Sequence, residues 1–201
     1  MATIYSLFLG ILSFSLCFST AVKNAVLNSR TIGSESIFSA SDHLSRQVDG
    51  RELSAKIAIR DRLIQIAVAE LGVREEGGEN QGQRVGEYLG YVGLGAGYEW
   101  CAAFASWCYG QAGLLAPRSA WSPALFPKAR RYAAPDIRRG RFERADLFAI
   151  YSSQLRRIHH VGLVEAVNGG LMISVEGNSH DRVESRRRPL STIYAMANWV
   201  D

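Results

Sequence analysis

The sequence predicts an α+β domain, with helices first and strands afterwards in a mainly antiparallel sheet. Between Ala55 and Gly113, apolar residues recur at the three- and four-residue steps of an α-helix. From Leu147 to Val200 they gather instead in short runs divided by turn residues, the signature of strands. The chain has no internal repeats.

Its 201 residues, 47% hydrophobic and 21% charged, suffice for one domain with a sizeable core and a tail. The net charge is +4, and the first charged side chain is Lys23. Arginines crowd at 130–131, 138–144, 156–157 and 186–188. A basic surface suits an anionic partner such as a cell-wall polymer. Scattered on an irregular face, these arginines read as solvated, and no nucleic-acid partner is expected.

The N-terminus reads as an export signal. Ile4–Phe18 is predominantly apolar, short for a membrane span, and Ser19-Thr20-Ala21 offers small residues for cleavage after Ala21. There is no Lys or Arg before this run, so an uncleaved N-terminal anchor is the alternative, and the only membrane contact expected. Leu16 before Cys17 does not suit a lipoprotein site. Residues 1–21 are thus assigned to the signal and 22–54, polar and without sustained period, to a flexible linker; 55–201 form the domain. The mature protein, periplasmic or secreted and expected to be a monomer, keeps two cysteines and no disulfide framework.

Within the domain, a first helix runs from Ala55 to Leu71 with Ile59, Leu63, Ile66 and Ala67 on its face and Gly72 as its stop. A second lies near Val85–Tyr91. The stretch Tyr98–Gly113 places Cys101, Phe104, Ala105, Cys108 and Ala112 on one helical face, with Gly113 ending it. The glycines of 93–97 put Cys101 in the first turn. Unpaired N–H groups and the macrodipole there favour a thiolate, the nucleophilic form of cysteine. Cys108, two turns on, reads as core. Ser122-Pro123 reads as a cap and first-turn proline for a short helix toward Tyr132. Strands follow at Leu147–Tyr151, Ile158–Val167, Leu171–Val175 and Tyr194–Val200.

An activated cysteine needs a base, and the base a group to hold it. Of four histidines, His43 lies in the linker and His180 in a loop. His159 and His160 are adjacent on a strand and should point to opposite faces. His160 shares its side with Gly162, Val164 and Ala166, small enough for close approach by a helix, and is the candidate base. Glu176 and Asn178 share a face, and either oxygen could fix the imidazole. Register decides the matter. A two-residue turn at Asn168-Gly169 would pair His160 with Gly177 and turn both polar groups away. A three-residue loop, or an equivalent bulge, sets Gly162 opposite Glu176 and His160 opposite Asn178. The odd register is therefore expected, with Glu176 the first choice.

The order W-C-A-A-F-A-S-W-C, A-D-L-F, H-V-G and V-E-G-N-S resembles the CHAP amidohydrolase/peptidase family, within the NlpC-type, papain-like cell-wall hydrolases. The resemblance covers roughly Ala55 to Trp199. It implies a papain-like fold, its helices packed on an antiparallel sheet or half-barrel and its cysteine at the N-terminus of the central helix. By position Cys101 matches the nucleophile, His160 the base and Glu176 the orienting residue with Asn178 its neighbour. Asn80, Tyr88 and Trp100 match framework positions around the cleft, and Tyr98, Trp100 and Trp121 are candidates to line it. Ala145 stands where the family usually has glycine. The acidic calcium motif of some members is absent, and no metal or other cofactor is expected. The implied activity is hydrolysis of peptidoglycan amide bonds, as endopeptidase or as amidase at the sugar–peptide junction. A non-catalytic wall-binding or scaffolding module, or a secreted antibacterial effector with the same chemistry, are the alternatives.

Overall fold

The computed structural model describes residues 45–201; the expected signal, most of the linker, Cys17 and His43 fall outside them. Two compact units are distinguished, Met1–Leu53 and Ser54–Asp201. Of the first, only residues 45–53 are described, and they are helical although their composition suggested a linker. No helix among the described residues is long and apolar enough to cross a membrane.

Helix α1 (residues 45–69) buries Leu63, Ile64 and Ala67 completely. Its inward face is rotated from the expected one: Ile59 and Ile66 are half-buried, and Arg60 is buried in their stead. Arg60 donates to the fully buried Asp146 at 2.9 Å, and the other Asp146 oxygen accepts from the Tyr132 hydroxyl and the Glu143 N–H. A buried carboxylate is tolerated only with such complete partnering. This ion pair fastens α1 to the start of the sheet. Ala145, just before it, adopts φ +69°, the left-handed conformation that explains why glycine is usual there.

Helix α2 (Gln83–Tyr91) packs on α3 (Cys101–Gln111) through Val85, Tyr88 and Leu89. Every residue of α3 from Cys101 to Tyr109 is buried, so this helix is enclosed all round rather than amphipathic. Its alanines permit that close wrapping. Gly113, at φ +94°, turns the chain away. The expected helix after Trp121 is instead two short 3-10 turns, Ser122–Leu125 and Lys128–Arg130, followed by α4 (Ala134–Arg138).

Five strands form one antiparallel sheet in the order β4-β3-β2-β1-β5. They are β1 (Leu147–Ser152), β2 (Arg157–Asn168), β3 (Leu171–Glu176), β4 (Glu184–Pro189) and β5 (Ala195–Ala197). β4, sequence ESRRRP, carries no apolar alternation and is not legible as a strand from composition. One face of the sheet, with Leu147, Val161, Leu163 and Val175, joins the core around α3. The other, with Phe148, Val164, Met172 and Met196, packs with Ile137 of α4.

The β2–β3 hairpin turns on two residues, Gly169 and Gly170, both at positive φ, and pairs Asn168 with Leu171. A bulge at Glu165 then shifts the register, so that Val164 pairs with Ser174 and Leu163 with Val175. The odd register expected for the site is reached by this bulge and not by a three-residue loop. Gly162 consequently lies over Glu176. A Cβ there would fall 2.7 Å from Phe148 Cε1 and 2.8 Å from Glu176 Cγ. Gly162→Ala should destabilise the protein by about 1–3 kcal/mol, as overpacking generally does. The urea midpoint measures this; an unmoved midpoint would mean that Phe148 and Glu176 yield freely.

Candidate active site

Cys101 is the first residue of α3 and is 3% exposed. Gly97, at φ +96°, turns the chain just ahead of it, and Trp100 takes the N-cap position. The sulfur lies against the edge of β2, 3.9 Å from the His159 carbonyl oxygen, where the Val161 N–H also favours its anionic form. Those backbone groups face it because the β2–β3 ladder ends at Leu163–Val175. The Ser122 hydroxyl stands 3.5 Å from the sulfur.

His160 links this sulfur to a buried acid. Its imidazole is electrostatically coupled to the Cys101 thiol, and Nε2 lies 2.7 Å from Glu176 Oε2. Glu176 is completely buried at the end of β3 and accepts three further bonds. Ser174 donates to Oε1 at 2.5 Å; Arg188 Nε donates to Oε1 at 2.7 Å and Nη2 to Oε2 at 2.5 Å. Such a bidentate fork fixes the plane of the carboxylate as well as its position.

These contacts govern the charges. Burial opposes ionisation of Cys101, but the His160 hydrogen bond and charge, with Ser122 and Val161, outweigh it and lower the thiol's pKa. For His160 burial disfavours the cation, yet bonding to Cys101 and Glu176 raises its pKa to about 9. Burial likewise acts against the Glu176 anion, and Arg188 foremost, then His160 and Ser174, bring it down to about 2. Both shifts run in the direction of a thiolate–imidazolium pair. Burial drives the Cys108 thiol the other way, well above the ordinary range.

The other sequence candidates divide. Asn178 does not reach His160. At φ +53° its carboxamide lies within hydrogen-bond distance of Asn80 (3.1 Å), Glu75 (3.3 Å) and the Trp100 N–H (3.2 Å). It braces the turn into α3. Trp100 is wholly buried, stacks on Tyr88 and donates to Glu75 at 2.8 Å, so it is framework and not groove lining. Tyr98 and Trp121 are 56% and 53% exposed and do line a cleft of about 510 Å³ with Glu99, Arg118, Ser122 and Arg157. The Arg157 guanidinium lies over the Trp121 ring at 4.6 Å.

The strand argument for preferring His160 to His159 fails locally. A bulge between β1 and β2 pairs Ile150 with His160 and Tyr151 with Ile158, leaving His159 unpaired. Ile158 and Val161 enter the same core although three residues apart, which simple alternation forbids. Small side chains beside His160 serve another purpose than expected: Gly162 makes room for Phe148 and Glu176, whereas α3 comes close at Gly177, through Phe104. Sequence reasoning missed Ser122, read as a cap, and Arg188, read as one of a solvated run. Among the described residues no cluster of His, Cys, Asp and Glu could hold a metal ion.

Residues 93–178 match the model of the CHAP domain. No curated protein matches the chain. Among solved structures, it resembles an NlpC/P60 family protein from Bacillus cereus ATCC 10987, at 18% identity and a TM-score of 0.45, over 71% of this chain and 40% of that one. It also resembles NlpC1 from Trichomonas vaginalis, at 14% identity and a TM-score of 0.43, over 70% of this chain and 44% of the other. The chain thus spans less than half the length of either. The matched segment runs from just before the cysteine helix to just past the end of β3, and over it the chain is similar to a CHAP domain.

Proposed function

We propose that this protein is exported and hydrolyses amide bonds of bacterial peptidoglycan through Cys101, His160 and Glu176. The observation that carries the reading is a buried cysteine at the start of a helix, electrostatically coupled to His160, whose Nε2 lies 2.7 Å from the buried Glu176.

In the proposed reaction the Cys101 thiolate attacks the amide carbonyl carbon, and the carbonyl electrons move to oxygen. As the first residue of α3, Cys101 has a backbone N–H with no acceptor in the helix ladder, placed to stabilise that oxyanion. Collapse of the tetrahedral species breaks the C–N bond, and His160 delivers its proton to the departing amine. A thioester results. Water then attacks it while His160 takes the water's proton, releasing a carboxylate and restoring the thiol. Glu176 keeps the imidazole aimed throughout. Tyr98 and Trp121 line the cleft along which the wall strand would lie, beside the sulfur's neighbour Ser122.

Digestion of purified peptidoglycan, with mass spectrometry of the fragments, tests the reading and identifies the bond cut. Cys101→Ser should abolish release, and His160→Ala should slow it by about 10²–10⁴-fold, with a far smaller loss for His159→Ala. Undiminished hydrolysis by Cys101→Ser would sink the proposal.

The pH profile supplies a second check. His160 is protonated below about 9, so kcat/KM should decline as pH rises through that value. Iodoacetamide should meanwhile label Cys101 well ahead of Cys108, whose thiol is buried and hard to ionise. Equal labelling of the two would contradict the assignment of the nucleophile.

A further inference from the structure

Of the Arg188–Glu176 fork only the acid lies within the segment that matches the CHAP domain; Arg188 lies beyond it, on a strand with no apolar pattern. β4 pairs Met172 with Arg188 and Glu176 with Glu184, so Arg188 and Glu176 are not directly opposite. The arginine reaches along the sheet to the acid, its guanidinium 5.6 Å above the Phe148 ring. Half-buried, it gives Nε to one carboxylate oxygen and Nη2 to the other. One of those oxygens is also the one bonded to His160.

We propose that Arg188 is a positioning residue for the reaction: its fork holds the Glu176 carboxylate in the plane and rotamer that aim His160 at Cys101. A carboxylate carried on two methylenes turns about three side-chain bonds, and a single hydrogen bond to an imidazole does not fix it. Ser174 restrains one oxygen only. The arginine restrains both. Arg188 touches neither sulfur nor imidazole in any hydrogen bond of the described residues; it acts through the acid. Other charged or titratable groups bear on the same unit: His159 beside His160, Glu184 beside Arg188, and Cys101 itself. Glu184 is engaged by Ser179, His180 and Arg186.

The proposal rests on Cys101 and His160 as the reacting pair but not on the identity of the substrate. Its test is therefore the pH dependence of iodoacetamide alkylation, followed by mass spectrometry of the Cys101 peptide in the full chain. In the wild-type protein the inflection should lie below that of an ordinary thiol. Arg188→Met should move it upward by about one unit, so that alkylation below the inflection slows about tenfold. Glu176→Gln should also move it upward. In the Glu176→Gln background, adding Arg188→Met should cause no further shift, because a residue acting through another has no effect once that other is removed.

An inflection unmoved or lowered by Arg188→Met overturns the proposal, and so does a further shift in the double variant. If Arg188→Met fails to fold by circular dichroism, Arg188→Lys decides, since it keeps the charge but loses the fork. A smaller upward shift is then expected, and an unchanged profile overturns the proposal. An ordinary thiol inflection in the wild-type protein overturns the hydrolase reading together with this one. A depressed wild-type inflection that the Arg188 variants leave in place overturns this one alone.

Discussion

β3 stops pairing with β2 at Leu163–Val175, and the strand edge left open beyond that point is where the sulfur of Cys101 lies. Had the ladder continued, the Val161 N–H would have been spent on a neighbouring strand, and α3 could not have set its first residue against it. The same end of β3 delivers Glu176 to the opposite face, beneath Gly162, where it meets His160. Helix and acid therefore approach the imidazole from the two sides of one sheet. Both approaches depend on side chains that are missing: Gly177 admits Phe104 of α3, and Gly162 admits Phe148 and Glu176. The Arg60–Asp146 pair anchors the beginning of β1 and so fixes the strand beside which His160 is held.

The sequence made the cysteine helix, its start and four of the five strands legible, because apolar periodicity and the Gly93–Gly97 run are local signals. It brought Cys101, His160 and Glu176 into one hypothesis through order and strand register, and the structure draws those three together. Three things lay beyond its reach. A bulge has no compositional signature: one between β2 and β3 was an alternative route to the odd register, but its place at Glu165 could not be foreseen, nor could the extra residue at His159, which breaks the alternation used to choose a histidine. β4 was invisible since its inward side chains are arginines and a glutamate, held by polar contacts such as Arg186 with Glu184 and Arg188 with Glu176 instead of by apolar burial. Trp100 shows the converse: aromatic residues beside a candidate nucleophile look like groove lining, and only tertiary contacts with Tyr88 and Glu75 reveal framework.

The two carboxylates at the heart of the domain are solved differently. Asp146 is embedded in a mixed set of donors from three parts of the chain, and its burial serves only to hold elements together. Glu176 is equally inaccessible, but one of its partners is a titrating group. Burial that in the first case stabilises the fold becomes, in the second, a means of making a neighbouring proton's position matter.

The Arg188 fork has a consequence for the electrical state of the site. With thiol and imidazole neutral, Glu176 and Arg188 contribute one negative and one positive charge; after the proton moves from sulfur to nitrogen, the four groups alternate in sign. The sum is zero in both states. Activating the nucleophile thus rearranges a dipole without creating a monopole inside the protein. A change of dipole is felt only at short range, and it couples weakly to mobile ions outside. The balance between the two forms should accordingly be nearly indifferent to ionic strength.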